Sequence, residues 1–267
     1  MAAIHADACG SSLQRIENRA RSTTRRPGLE ALFLEARRNT RIKDDAKWGQ
    51  GSLNRGVDFY SGMPDELITL AASYQVDASS DASLQKQVAE MMNVSTWFVV
   101  AAQTAEEAVK IDFFLRHRVN LGIFLKVFAD ISWLDLAAKA RLLEWKVRMN
   151  LIVCFHRVCP ELRIAEIQNY VPRQPDSMNW EKIIDRSKKI PDDGHVVKMI
   201  RALNQGHDLS QPLEPMEDDS IILPVRNEIW LKVANVVLDS TQDGVRVPDK
   251  WLFGPRYDQC WQSVADR

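Results

Sequence analysis

Apolar residues recur at intervals of three and four along most of this chain, and stretches that alternate apolar and polar side chains are rare. A repeat of about 3.6 residues is typical of amphipathic helices, whereas half-buried strands need a repeat of two. The pattern therefore predicts an all-α fold. We expect one bundle-like helical domain over residues 1–267, with a long polar loop at 206–219 before a last helix at 225–238.

The three longest periodic segments predict the core helices, at 83–103, 106–128 and 134–158. Within the last of these, the helical phase places Leu143 on the buried face and Trp145 on a less buried one. A further helix is predicted at 194–204, where Asp192 and Asp193 precede the first turn and can cap it. The core is thus expected to rest on long helices rather than on a sheet.

Composition excludes several classes of function. The formal net charge of -1 gives no reason to expect a nucleic-acid partner. The longest apolar run, around Leu151 to Phe155, is much shorter than the roughly 20 residues that a membrane helix needs. The four cysteines lack a CxxC spacing, so reduced thiols are expected. These observations favour a cytoplasmic protein without a nucleic-acid or membrane partner.

The common catalytic and nucleotide-binding motifs are missing. Gly49 and Gly51 begin a GxG, but Asn54 stands where a dinucleotide fingerprint needs glycine, and no predicted strand precedes it. The sequence contains no GxxxxGK[ST], HExxH or GxSxG motif. Neither a flavin nor a nicotinamide site is therefore visible in the sequence.

Two histidines are candidates for metal ligation or for acid–base catalysis. His117 follows Phe113 and Phe114 at helical spacing, which turns its imidazole towards the apolar face. His195 lies in the first turn of the predicted helix at 194–204, where the helix dipole favours the neutral ring that ligates metals or acts as a base. For each of them, a hydrogen-bonded core histidine is the alternative interpretation.

A lysine and a third histidine share one stripe of the predicted helix at 134–158. Lys146 and His156 lie there with apolar neighbours, and a buried amine is costly unless it is paired, neutral or chemically employed. Asp112, Glu144 or a substrate oxygen are its candidate partners. As for the other histidines, a satisfied core residue remains the alternative.

Four blocks of sequence resemble the fungal questin oxidase-like family, in the C-terminal part of its members. They agree in order and spacing and span most of the chain: DFFLRHRVNLGIFLKVF, WLDLAAKARLLEWKVRMNLIVCFHRVCPELRIAEIQNY, DDGHVVKMIRAL and WLFGPRYDQCW. The resemblance implies an all-helical oxygenase of fungal secondary metabolism. It would act on an aromatic polyketide such as an anthraquinone, by Baeyer–Villiger-type or ring-opening oxidation, with NADPH as reductant.

The resemblance also suggests roles for individual residues. His117 matches the histidine of the family's DFF-x-x-H block, and His195 matches that of its D-x-H-x-x-K block. Because no flavin motif is visible, oxygen chemistry would need a metal or the substrate's own electron-rich phenol. The metal expected is non-haem iron with these two histidines as ligands. From their position on the buried stripe of the predicted helix at 134–158, Lys146 and His156 are the expected catalytic residues. The helical phase gives the side chains expected to stack against the substrate, which are Phe113, Phe114 and Phe124.

The family normally carries a longer N-terminal part with a histidine-rich helix of the form HNH, which this chain does not contain. A non-catalytic homologue that acts as a scaffold or ligand-binding protein is therefore the alternative function, and a helical ligand carrier is a third. On this basis we expect the chain to bind a flat polycyclic phenol more readily than it oxidises one.

Overall fold

The computed structural model describes residues 12–39, 63–104, 107–156, 160–216, 221–255 and 257–265, without the side chains of residues 155 and 156. Within these ranges the regular structure is helical, apart from isolated β-bridge residues, among them the parallel bridge between Asp112 and Leu252. The all-α prediction is confirmed. In chain order the helices are α1 (12–20), α2 (Leu29–Arg38), α3 (Asp65–Ser73), α4 (Asp81–Val100), α5 (Arg116–Asn120), α6 (Gly122–Asp130), α7 (Leu136–His156), α8 (Ile164–Gln168), α9 (Trp180–Lys189), α10 (His195–Ser210), α11 (Ile229–Thr241), α12 (Val247–Lys250) and α13 (Asp258–Trp261).

The chain forms two compact units. The first comprises Met1–Leu84 with Trp133–Cys159, and the second comprises Gln85–Ser132 with Pro160–Arg267. The single helical domain expected over residues 1–267 stays a prediction. Of the helices in the described ranges, none combines the length and the apolar character that crossing a bilayer demands.

In the first unit, α2 and α3 pack against the long helix α7. Leu143 of α7 is only 1% exposed, as the helical phase predicts, and Trp145 is less buried. Arg148 joins three segments, because its guanidinium donates to Glu17 at 3.0 Å, to Glu144 at 3.1 Å and to the carbonyl oxygen of residue 71 at 3.3 Å. The expectation of reduced thiols is wrong at one position, since the buried Cys154 is disulfide-bonded.

In the second unit, α10 packs against α5, α6, α9 and α11. Gly206 of α10 faces the buried Trp230 of α11, and a Cβ at Gly206 would lie 2.8 Å from the indole ring. Only glycine therefore permits this close approach without a shift. Asn93 of α4 exchanges two hydrogen bonds with the backbone of Val225, which fixes the loop before α11.

The single helix predicted over 106–128 is wrong. Residues 107–115 are not helical, and the helical residues that follow are divided at Leu121 into α5 and α6. The cause is a pairing over long sequence distance: Leu252 donates its N–H to the carbonyl oxygen of Ile111 at 2.9 Å and accepts the N–H of Phe113 at 2.8 Å. These bonds replace the ones that a helix would make at the same backbone groups.

The side chain of Asp112 also favours the non-helical conformation of residues 107–115. Its carboxylate accepts the backbone N–H groups of Phe114 at 2.9 Å and Leu115 at 2.7 Å, which favours a turn before α5 begins. The interruption changes the phase of the following residues. Phe124, which a continuous helix would bury, has a side chain that is 52% exposed.

The predicted loop and last helix are partly corrected. Helix α10 continues to Ser210, beyond the predicted end at 204, so the loop starts later than 206. The helix predicted at 225–238 corresponds to α11, but the short helices α12 and α13 follow it, so it is not the last. Residues 217–220 of the predicted loop lie outside the described residues.

Candidate functional site

The second unit brings His117 and His195 together from distant parts of the sequence. His117 belongs to the short helix α5, and His195 is the first residue of α10, which packs against α5. The centroids of the two imidazole rings are 6.0 Å apart, with the ring planes at 83°. Both side chains keep partial solvent exposure, so a ligand can reach them.

One phenyl ring contacts both histidines and two further phenyl rings. The ring of Phe113 contacts His117 at a centroid distance of 5.6 Å and His195 at 5.2 Å. The same ring stacks on Phe253 at 5.2 Å with an interplanar angle of 22°, and it meets Phe114 edge-on at 5.4 Å. Phe113 is therefore the centre of an aromatic cluster formed by Phe113, Phe114, His117, His195 and Phe253.

Two carboxylates lie at the start of α10. Asp192 accepts the backbone N–H of Val196 at 2.6 Å, which confirms its predicted capping of this helix. Gly194 adopts a φ of 90°, the left-handed region that glycine tolerates, and this turns the chain into the helix. Asp193 contacts Nδ1 of His195. Ligating atoms of Asp192, Asp193 and His195 lie within 4.8 Å of one another.

The pKa values in the site follow from burial and hydrogen bonding. Burial lowers the pKa of His117 to about 4, and the nearby positive charges of Arg116 and Lys198 act in the same direction. The ring of His117 is therefore neutral at neutral pH and offers a nitrogen lone pair. The hydrogen bond with Asp192, followed by the contact with His195, lowers the pKa of Asp193 to about 2, so this carboxylate is ionised.

The guanidinium of Arg116 packs against the aromatic cluster. Its guanidinium carbon is 4.3 Å from the ring centroid of Phe113 and 4.7 Å from that of Trp251, and the side chain has no exposed surface. Burial lowers the pKa of Arg116 to about 10, whereas the negative charges of Asp192 and Asp193 raise it. The guanidinium therefore remains charged at neutral pH. Within the described part of the chain, none of its three guanidinium nitrogens has a hydrogen-bond partner.

Sequence reasoning did not single out Arg116 or Phe253 for this site. Both belong to blocks that resemble the questin oxidase-like family, Arg116 in DFFLRH and Phe253 in WLFGPRY. The sequence blocks that resemble the family therefore already contained both residues. The spacing of residues did not indicate that residues 111–113 pair with Leu252, and this pairing places Phe253 against Phe113.

Three residues proposed from sequence lie apart from this cluster or cannot be compared with it. Phe124 is half exposed on α6. Lys146 belongs to the first unit, where its amine donates to Oδ1 of Asn150 at 2.6 Å. His156 ends α7, and its side chain lies outside the described part of the structure. Their roles in catalysis or substrate binding stay predictions.

A cavity of about 510 Å³ lies elsewhere in the second unit and contains none of the residues proposed from sequence. The buried Asp239 on its wall accepts hydrogen bonds from the Tyr170 hydroxyl at 2.6 Å, the backbone N–H of Arg173 at 3.0 Å and the guanidinium of Arg186 at 2.8 Å. Burial raises the pKa of Tyr170, and its bond to Asp239 adds to the effect. This wall is a satisfied polar network.

Together, the fold and the cluster define a helical protein with a histidine, carboxylate and aromatic site. The model of the questin oxidase-like family matches residues 1–203, so this chain belongs to the questin oxidase-like family.

Several relatives carry oxidase or monooxygenase names. The Baeyer-Villiger oxidase ptaJ of Pestalotiopsis fici is 31% identical, over 88% of this chain and 52% of the relative. The Baeyer-Villiger monooxygenase AacuH of Aspergillus aculeatus is 32% identical, over 90% of this chain and 52% of the relative. The questin oxidase of Aspergillus fumigatus is 32% identical, over 88% and 52%. The chain thus spans about half the length of the curated relatives it matches.

Proposed function

We propose that this chain carries an oxygenase site that acts on a hydroxylated aromatic polyketide such as an anthraquinone, by Baeyer–Villiger-type or ring-opening oxidation. The observation that supports this most strongly is the approach of the His117 and His195 ring centroids to 6.0 Å, with the ring of Phe113 in contact with both. The oxidase names of its relatives favour the same reaction class.

The aromatic cluster suits a flat ligand. Phe113, Phe114 and Phe253 are each partly exposed, and their faces and edges can pack against a planar ring system. Such packing would orient the ligand and exclude water from the histidine pair. In the metal-free protein the neutral ring of His117 would accept a hydrogen bond from a phenol hydroxyl, since its nitrogen lone pair is not protonated at neutral pH.

Non-haem iron is the metal we propose, because imidazoles and carboxylates are its usual ligand types. Asp192, Asp193 and His195 bring ligating atoms within 4.8 Å of one another, a group that does not include His117. The ring of His117 is neutral at neutral pH and offers a further nitrogen. His117 and His195 would hold the iron through ring nitrogens, and Asp193 would fix the orientation of His195 through Nδ1. Bound iron would supply the one-electron chemistry that lets dioxygen react with a closed-shell phenol.

The remaining elements of the proposal come from the sequence pattern and from the family resemblance. NADPH is proposed as reductant, although the sequence contains no dinucleotide motif. Lys146 and His156 are retained as candidate catalytic residues, and a cytoplasmic location is retained for the protein. An aromatic polyketide is the proposed small-molecule partner.

A direct assay tests the activity. The full chain is incubated in air with ferrous iron, NADPH and a hydroxyanthraquinone, and product is followed by mass spectrometry together with oxygen consumption. We expect product from wild type and a loss of at least about 100-fold in His117→Ala and His195→Ala, because each removes a proposed ligand. His207→Ala, at a partly buried histidine of α10 outside the cluster, is the matched control and should retain activity.

Binding without turnover is the second candidate function. The observation that favours it is that the aromatic cluster lies within one unit of this chain, which covers only about half the length of its relatives. In that case the hydroxyanthraquinone would bind wild type and bind His117→Ala more weakly, while no oxygenated product would form with iron and NADPH present.

A further inference from the structure

Arg116 is the least satisfied charged group in the site. Its side chain is fully buried and remains charged, yet no nitrogen of its guanidinium has a hydrogen-bond partner among the described residues. An uncompensated buried charge destabilises a protein, and replacing it with an apolar side chain of similar size is often neutral or stabilising. Such a group in a native structure calls for an explanation, and an absent ligand is one.

The carboxylates nearest to Arg116 are already engaged elsewhere. Asp112 accepts backbone N–H groups of residues 114 and 115 with one oxygen and that of Gly254 with the other. Asp192 accepts the backbone N–H of Val196, and Asp193 contacts His195. These acids attract the guanidinium from a distance, but they leave its planar array of donors without an acceptor.

The two rings that contact Arg116 differ in exposure. The ring of Trp251 lies 4.7 Å from the guanidinium carbon, and this side chain is only 1% exposed. Phe113 is partly exposed, and its ring also contacts both histidines. A rotation of the Phe113 side chain would therefore open a path from the histidine pair to the guanidinium.

We propose that Arg116 binds the anionic oxygen of the phenolate form of a hydroxylated aromatic ligand, with the ring of Phe113 turning aside to admit it. The ligand class rests on the proposed function. A guanidinium presents several donors in one plane, which suits an oxygen anion on a flat ring, and the surrounding phenyl groups suit the ring itself. The phenol loses its proton to solvent before binding, so Arg116 stays protonated throughout.

Paired ligands test this assignment. Alizarin, a hydroxyanthraquinone whose phenolate differs in colour from the phenol, and unsubstituted anthraquinone are titrated into the full chain with a metal chelator present. Arg116→Met should weaken the binding of ionised alizarin by about 10- to 100-fold, the value of a hydrogen bond to a charged group, and leave anthraquinone within about twofold. The bound phenol should ionise at lower pH in wild type than in the variant.

Arg118→Met is the matched control, because Arg118 is buried in the same helix and lies over Phe98 at 4.6 Å, away from the histidines. Arg118→Met should change the binding of alizarin and of anthraquinone by the same factor, so that the wild-type preference for alizarin is kept. The more conservative Arg116→Lys keeps the charge and should lose only part of the preference for alizarin. Equal binding of alizarin by wild type and Arg116→Met would overturn the assignment, and so would a wild type that prefers anthraquinone.

Unfolding in denaturant gives a second, independent measurement. A purely structural arginine would be needed for folding, whereas an arginine held for a ligand costs stability in the free protein. The midpoint of Arg116→Met without ligand should therefore equal or exceed that of wild type, and a lower midpoint would contradict the proposal. These experiments measure binding and stability, not product formation. If Arg116 contributes to binding but the separate oxygenase assay yields no product, the oxygenase activity is refuted and this assignment still holds.

Discussion

Protonation of His117 should make the metal-free protein less stable as the pH falls from neutral. Its pKa is about 4 in the folded chain, against an ordinary histidine value of 6.5, so the unfolded chain binds more protons between these values. The stability that the neutral ring contributes is fully present above pH 6.5 and decreases down to about pH 4. With the full pKa shift, the free energy of unfolding falls by about 2 kcal/mol between pH 7 and pH 5. Because the His117 side chain is partly exposed, solvent screening reduces this loss to about 1 kcal/mol.

The comparison that isolates this effect is between wild type and His117→Gln, since glutamine has similar polarity and does not titrate. Denaturant unfolding with a chelator present, at pH 7 and pH 5, should show wild type losing about 1 kcal/mol more than the variant. Nuclear magnetic resonance can follow the ring directly. An equal loss in both proteins, or a His117 ring that titrates near its ordinary pKa, would refute the claim that this imidazole is neutral because it is buried.

Three further substitutions test the packing by denaturant unfolding. Leu143→Ala should cost about 2–5 kcal/mol because it empties a buried site in the first unit, and a loss under about 1 kcal/mol would show that the helical phase of α7 is wrong. Gly194→Ala should cost about 1–2 kcal/mol, since the φ of 90° is unfavourable for alanine, and an unchanged midpoint would argue against that backbone conformation. Asp239→Ala should cost about 3–5 kcal/mol because it leaves Arg186 and Tyr170 without their acceptor, and Asp239→Asn should recover part of this loss.

The helices that the sequence predicts well are those whose stability comes from their own periodicity. Helix α7, predicted at 134–158, runs from Leu136 to His156, and α4, predicted at 83–103, runs from Asp81 to Val100. The start of α10 was also predictable, because the Asp192 cap is a local signal. In each case the residues that decide the structure are close together in sequence.

The segment before α5 could not be predicted in this way. Its apolar spacing favours a helix, but its backbone pairs with Leu252, about 140 positions further along the chain. That long-range pairing brings Phe253 against Phe113 and leaves Phe124 exposed. Periodicity carries no information about such contacts. The approach of His117 to His195 was expected from the resemblance of their sequence blocks, whereas the orphaned guanidinium of Arg116 required coordinates.

Isotope-labelled dioxygen tests most directly whether His117 and His195 form the proposed oxygenase site. The full chain, ferrous iron, NADPH and a hydroxyanthraquinone are mixed under labelled gas, and the product is analysed by mass spectrometry. We expect labelled oxygen in the product of wild type and of the His207→Ala control, and none with His117→Ala or His195→Ala. Labelled product at the wild-type rate from either of these two variants would contradict the proposed site.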